Sequence, residues 1–261
     1  MKILVCIKHV PDTETKVRVA PDGVSLDETG VKMIISPFDE FALEEALLLR
    51  EALGGGEVVL ATVGRQAAQA SLRQGLAMGA DRAVLLADER LDRADALCRA
   101  NALATIVRSE SPDLTFLGKC GVGTDEGLTG PMLAELLDLP HAAAVSSLEL
   151  REGSFFAHCE VEGGIEVLEG SLPGVVTWDK GHHEPRYASL KGIMAAKKKP
   201  LSVRSAEDLG LDPAELAAPP RVQWESLELP PARKAGRIIP GSAEEAVKEL
   251  VRLLREDAKV I

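Results

Sequence analysis

The sequence predicts an α/β protein with a doubly wound, mostly parallel sheet, followed by an extended C-terminal arm and a last helix. Three observations predict it. Short, β-rich apolar runs alternate with amphipathic helical stretches over residues 1–200. Glycines punctuate the junctions between them, so each unit reads strand, turn, helix, turn, strand, which is a βαβ crossover. After Pro200 the periodicity gives way to a proline-rich stretch, which places a boundary between residues 1–200 and 201–261.

Taken in order, Lys2–Val10 reads as a buried first strand, ended by Pro11-Asp12-Thr13. Lys16–Leu26 suits a hairpin around Pro21-Asp22-Gly23, and Lys32–Ile35 a short strand. Ser36-Pro37-Phe38-Asp39 opens a helix with Asp39 as its cap, and Gly54-Gly55-Gly56 stops it. Glu57–Val63, helix Gln66–Met78, the Gly79 stop and Ala83–Leu86 form the next unit. Asp92–Ser109 reads as one long helix, and Leu114–Leu117 as a strand. Met132–Leu137 is helical. Ala142–Leu150, Phe155–Glu162 and Ile165–Leu168 make a meander through turns at Arg151-Glu152-Gly153 and Gly163-Gly164. Leu172–Thr177 is a further buried strand. Leu201–Pro231, with Pro213, Pro219, Pro220, Pro230 and Pro231, is an arm. Ser242 and Glu245 form a capping box for a closing helix whose Val247, Leu250, Val251 and Leu254 make one apolar stripe.

Composition narrows the function classes. The net charge of −11 and the 3% aromatic content argue against nucleic-acid binding, by charge and by the lack of stacking platforms. No apolar run approaches the roughly 18 residues of a membrane span. The first residues enter a strand with no signal-peptide pattern, so a cytoplasmic location is expected. Cys6, Cys98, Cys120 and Cys159 are widely spaced, which predicts free thiols and no zinc site. The adjacent His182 and His183 would point apart on a strand, so they are expected at the surface without a metal. Trp178 and Trp224 are expected to pack, and no nucleophile–base arrangement stands out.

Two stretches carry candidate chemistry. The first is Gly118–Pro131, reading GKCGVGTDEGLTGP between a strand and a helix. Such a loop presents backbone N–H groups and a positive helix end to an anion, although glycines also serve ordinary turns. Its spacing is neither a Walker loop nor a GxGxxG fingerprint. The second is Leu172–Pro200, which begins with the strand Leu172–Thr177. Pro185 and Gly192 are expected to interrupt regular structure there, leaving Leu190, Ile193 and Met194 exposable ahead of Lys197-Lys198-Lys199. A solvated loop is the default reading of that pattern; a docking knob with steering charges is the sharper one.

The quoted motifs resemble the electron-transfer flavoprotein β-subunit family. Leu172–Thr177, Glu184-Pro185-Arg186-Tyr187, Leu190, Gly192-Ile193-Met194 and the lysine run are similar to its signature region, with His183 in place of Asn. Lys8 and Val10–Thr13, Asp39–Leu49 with Ser36 in place of the family's usual Asn, Ala77–Arg82, Glu160–Glu166, Pro230–Arg233 and part of the glycine loop resemble its other segments. Lys119, Asp125, Thr129 and Gly130 fit the family's loop pattern, whereas Gly123, Thr124 and Leu128 replace an acid, an acid or glycine, and a glutamine. The resemblance implies a Rossmann-like, adenine-nucleotide α-hydrolase-like fold. It implies AMP, or a second FAD in electron-bifurcating members that oxidise NADH, held around Cys6, Lys8, Ser36, Val63, Cys120, Val122, Gly123, Thr124, Asp125, Gly127, Leu128 and Thr129. It also implies an α-subunit partner gripping the C-terminal helix, with a FAD shared with that subunit. Donors would be flavin dehydrogenases such as acyl-CoA dehydrogenases, docking near Glu184, Arg186, Tyr187, Leu190, Ile193 and Met194. The chain itself is expected to be an electron carrier without catalytic residues. A nucleotide-binding regulator with no redox role is the reading from another class.

Overall fold

The computed structural model describes residues 1–212, 216, 220–232 and 235–261, without the side chain of Arg93. In chain order the strands and helices are β1 (Lys2–Cys6), β2 (His9–Pro11), β3 (Met33–Ile35), α1 (Pro37–Ala52), β4 (Glu57–Gly64), α2 (Gln69–Met78), β5 (Arg82–Ala87), α3 (Ala96–Glu110), β6 (Leu114–Gly118) and α4 (Thr129–Leu137). They continue with β7 (His141–Arg151), β8 (Ser154–Val161), β9 (Gly164–Ser171), β10 (Gly174–Trp178), α5 (Leu190–Ala196), β11 (Leu201–Arg204) and α6 (Ala243–Arg252).

Nine strands form one sheet in the order β11-β5-β4-β1-β6-β10-β7-β8-β9. Only β8 runs against the rest. The chain winds outward from β1 through β4 to β5, then crosses back to β6 on the other side of β1. The point of reversal lies between β1 and β6, where an open α/β sheet leaves a crevice at its C-terminal edge. The predicted doubly wound, mostly parallel sheet is therefore observed.

Helices cover both faces, which is why β1 is apolar from Ile3 to Cys6. Ile3 and Val5 join Leu43, Leu47, Leu60, Leu72 and Leu76 beneath α1 and α2. Leu4 and Cys6 face the opposite way, with Val59, Leu103, Ile106 and Leu133 beneath α3 and α4. Each fully buried Leu or Ile contributes roughly 1.5–3 kcal/mol. Trp178 packs edge-on against Phe116 with ring centroids 5.2 Å apart, as the sequence predicts. Trp224 instead is exposed, contrary to expectation.

Several local readings are corrected. Lys2–Val10 is two strands: after Cys6 the chain leaves the sheet, and His9–Pro11 pairs antiparallel with Met33–Ile35 in a separate ribbon. The Lys16–Leu26 hairpin is reduced to a single Val19–Leu26 bridge. The Asp92–Ser109 helix breaks before Asp95, whose carboxylate accepts the Cys98 N–H at 2.9 Å and starts α3 afresh. Gly192 lies inside α5 and does not break it. The sheet runs past residue 200: β11 pairs with β5 in parallel and forms one edge. The capping box of the last helix is present as predicted. Pro213, Pro219 and Arg233 of the predicted arm lie outside the described residues.

Candidate functional site

The crevice is assembled by the first turn of α1. Ser36 occupies the N-cap position but makes no side-chain cap bond. Its hydroxyl accepts the Val122 N–H at 3.2 Å. Asp39, predicted as the cap, is the third residue of the helix, and its buried carboxylate turns away from the helix's own backbone. Its two oxygens accept the Lys8 N–H at 2.7 Å and the Gly118 N–H at 2.8 Å. Both acceptors thereby bind loops that follow β1 and β6, and the helix end is spent on holding the switch point. Burial pushes the Asp39 carboxyl up to about 7, opposed by the two N–H donors and the Lys8 charge.

The glycine loop lies over this bracket. Thr124 and Asp125 donate their N–H groups to the Gly121 carbonyl, at 3.3 and 3.0 Å, and Asp125, Gly123 and Gly127 adopt positive φ. A Cβ at Gly121 would stand 2.4 Å from the Lys8 side chain, so a larger residue there would displace that lysine. The Lys8 ammonium reaches the Thr124 hydroxyl at 3.0 Å. No carboxylate among the described residues pairs with it. Its pKa is lowered, first by desolvation and then by Arg99, although Asp39, Glu126 and Asp125 pull the other way. A half-buried cation whose hydrogen-bond partner is a neutral hydroxyl, beside open space at Gly123, is chemically suited to an anion.

Most of the predicted loop residues meet here. Lys8, Ser36, Val122, Thr124 and Asp125 are joined through the contacts just given. Cys120 reaches Asp125 with its thiol at 3.7 Å, and burial followed by that carboxylate holds the thiol above its usual range. Cys6 is buried at the end of β1, with its thiol pushed up strongly by burial and then by Asp39. Val63 lies at the end of β4, the next strand over. Gly127, Leu128 and Thr129 lead into α4, with Leu128 exposed. Sequence reasoning missed the roles of Asp39 and Gly121. Lys119, which fits the family's loop pattern, pairs with Asp179 at 2.8 Å and sits over the Phe38 ring, partners the sequence did not indicate. That pair ties the loop to the second candidate stretch.

In that stretch the side chains divide. Tyr187, Leu190 and Met194 are 99%, 77% and 63% exposed, and Ile193 is exposed beside them. Leu190, Lys191, Met194, Ala195 and Lys198 line an open groove. Glu184 is exposed and reaches Lys180 at 3.4 Å. Arg186 points inward: its guanidinium binds the buried Glu44 at 2.8 Å and Glu51 at 2.7 Å. Its backbone N–H also reaches Glu44, at 3.0 Å. His183 contacts Glu45 at 2.9 Å. Arg186 is thus committed to its own chain.

Fold and loop geometry together define an open, doubly wound α/β protein whose glycine loop is bracketed to the first turn of α1 at the switch point of the sheet. Residues 23–209 match the family model described as the electron transfer flavoprotein domain. The chain is 40% identical over 262 residues to the electron transfer flavoprotein subunit beta of Bacillus subtilis (strain 168), covering 100% of both chains. It is 42% identical over 265 residues to the mitochondrial subunit beta of Oryza sativa subsp. japonica, again covering 100% of both. It is 37% identical over 262 residues to the subunit beta of Mus musculus, covering 100% of this chain and 99% of the relative. The chain belongs to the electron transfer flavoprotein β-subunit family. Among the described residues no helix is long and apolar enough to cross a membrane, and no cluster of ligating side chains could hold a metal ion.

Proposed function

We propose that this chain is the β subunit of a heterodimeric, cytoplasmic electron-transfer flavoprotein. It holds AMP at the switch-point crevice and covers one side of a FAD bound mainly by the α subunit. Flavin dehydrogenases, of which acyl-CoA dehydrogenases are the expected class, donate electrons after docking on α5. The observation that carries the nucleotide assignment is Lys8: a half-buried ammonium with a hydroxyl partner, facing a glycine loop. Lys8, Thr124 and the loop backbone from Cys120 to Thr129 would hold the phosphate, while Ser36 and Asp39 fix those loops in place. The flavin supplies the electron storage; the residues of this chain bind, orient and shield.

The test is the nucleotide content of the co-expressed αβ complex, released by denaturation and separated by chromatography. One FAD and one AMP per heterodimer is the expected result. Two FAD and no AMP would instead place the protein in the bifurcating branch, with NADH oxidation as its activity. A colourless chain that never associates with a flavoprotein would overturn the redox reading in favour of a nucleotide-binding regulator.

A further inference from the structure

Helix α5 has only seven residues, too few to be stable alone, yet it presents three apolar side chains to solvent. Its geometry must come from elsewhere. At its start, the Ser189 hydroxyl accepts the Gly192 N–H at 3.0 Å. In its middle, Gly192 lies so close to α2 that a Cβ would stand 2.3 Å from the Ala77 carbonyl oxygen. At its end, the Arg73 guanidinium, projecting from α2, donates to the carbonyls of Ala196 at 2.6 Å and Lys199 at 2.8 Å. The arrangement is reciprocal. The Lys199 ammonium donates to the Leu76 carbonyl at 3.0 Å and the Ala80 carbonyl at 2.6 Å, at the C-terminal end of α2. A cation from each segment thus satisfies carbonyls left unpaired at the other's C-terminal end.

Lys199 is therefore unlike Lys191, Lys197 and Lys198, which are exposed. Its charge is turned into the protein, and desolvation lowers its pKa. We infer that Arg73 and Lys199 are positioning residues for donor docking: by cross-capping α2 and α5, they hold Leu190 and Met194 in a preformed apolar surface. This rests on the reading of α5 as the dehydrogenase-docking element. Preorganisation lowers the ordering cost of an encounter, so its loss is felt in complex formation and not in electron transfer once docked.

The experiment compares R73Q, K199Q, K199R and L190A in the intact αβ complex. The donor is an acyl-CoA dehydrogenase reduced by its substrate. Hydrogen exchange of residues 190–196 and bound flavin are measured on the same samples. R73Q and K199Q should raise KM for the complex about threefold to tenfold, with kcat and flavin content unchanged and faster exchange in α5. K199R, which keeps a cationic donor, should retain most of the wild-type KM. Faster exchange with an unchanged KM, while L190A raises KM, would overturn the positioning role and leave the docking surface standing. An L190A complex with unchanged KM would overturn the docking surface itself, and the positioning role with it.

Discussion

Helices α5 and α6 both leave apolar side chains in water, but they are ordered by opposite means. Helix α6 is stabilised from within. It carries a complete capping box and a Glu244–Lys248 pair at 2.7 Å, its last residue Arg252 reaches Glu249 at 2.8 Å, and it buries no residue. Val247, Leu250 and Val251 form an exposed row on it. Helix α5 has no such internal pairs and depends on Ser189, Gly192 and Arg73 for its place. A face that is prepared in advance suits a transient encounter, because little remains to be ordered. A self-sufficient helix on an extended arm suits a permanent embrace, in which burial of the stripe supplies the energy.

The comparison can be broken most sharply at α6. Replacing Val247 and Leu250 together by Asp should abolish the αβ heterodimer, read as loss of the complex in size-exclusion chromatography. A heterodimer that survives would assign the embrace to another surface. The next largest effect is expected at the anchor of the segment leading to α5. Arg186→Ala leaves Glu44 buried without its partner and should cost about 3 kcal/mol in urea unfolding. A loss under about 0.5 kcal/mol, the size typical of a surface pair, would show that the segment is not pinned.

Lys8→Met should weaken adenine-nucleotide binding about tenfold, the size expected for one charge-assisted hydrogen bond. The nucleotide-free protein should melt no lower, because a desolvated cation has been removed. Calorimetric titration and a melting curve check both halves, and neither helix is touched. The smallest effect is Gly192→Ala. The added methyl group must push α5 off the Ala77 carbonyl, raising donor KM about threefold with little change in global stability. An unchanged KM would mean that α5 is not held as tightly as its contacts imply.

The alternation of strands and helices was legible because it lies in local periodicity and glycine punctuation. The glycine loop was legible for the same reason, since its position after β6 follows from the order of elements. What escaped the sequence was direction. Asp39 carries an ordinary cap signal, yet its carboxylate serves Lys8 and Gly118, which are remote in sequence. Lys199 belongs by sequence to a surface run and by structure to the end of α2. Gly192 looks like a helix breaker, but it is needed for close approach between two helices. Arg186 sits among exposed neighbours and turns inward to Glu44. In each case the deciding partner lies across the fold, where no one-dimensional pattern records it.

The chain between Trp178 and Leu201 leaves the C-terminal edge of the sheet at β10 and re-enters it alongside β5 as β11. On the way it passes outside α1, through Glu44, Glu45 and Glu51, and outside α2, through Arg73. It is a strap riveted at both ends into one rigid plate. Cutting a rivet in the middle slackens such a strap without letting it swing free, because the tethered ends keep α5 at high local concentration against α2. Damage to its contacts should therefore appear as a looser grip on the donor, graded by which contact is lost, and not as an all-or-none failure.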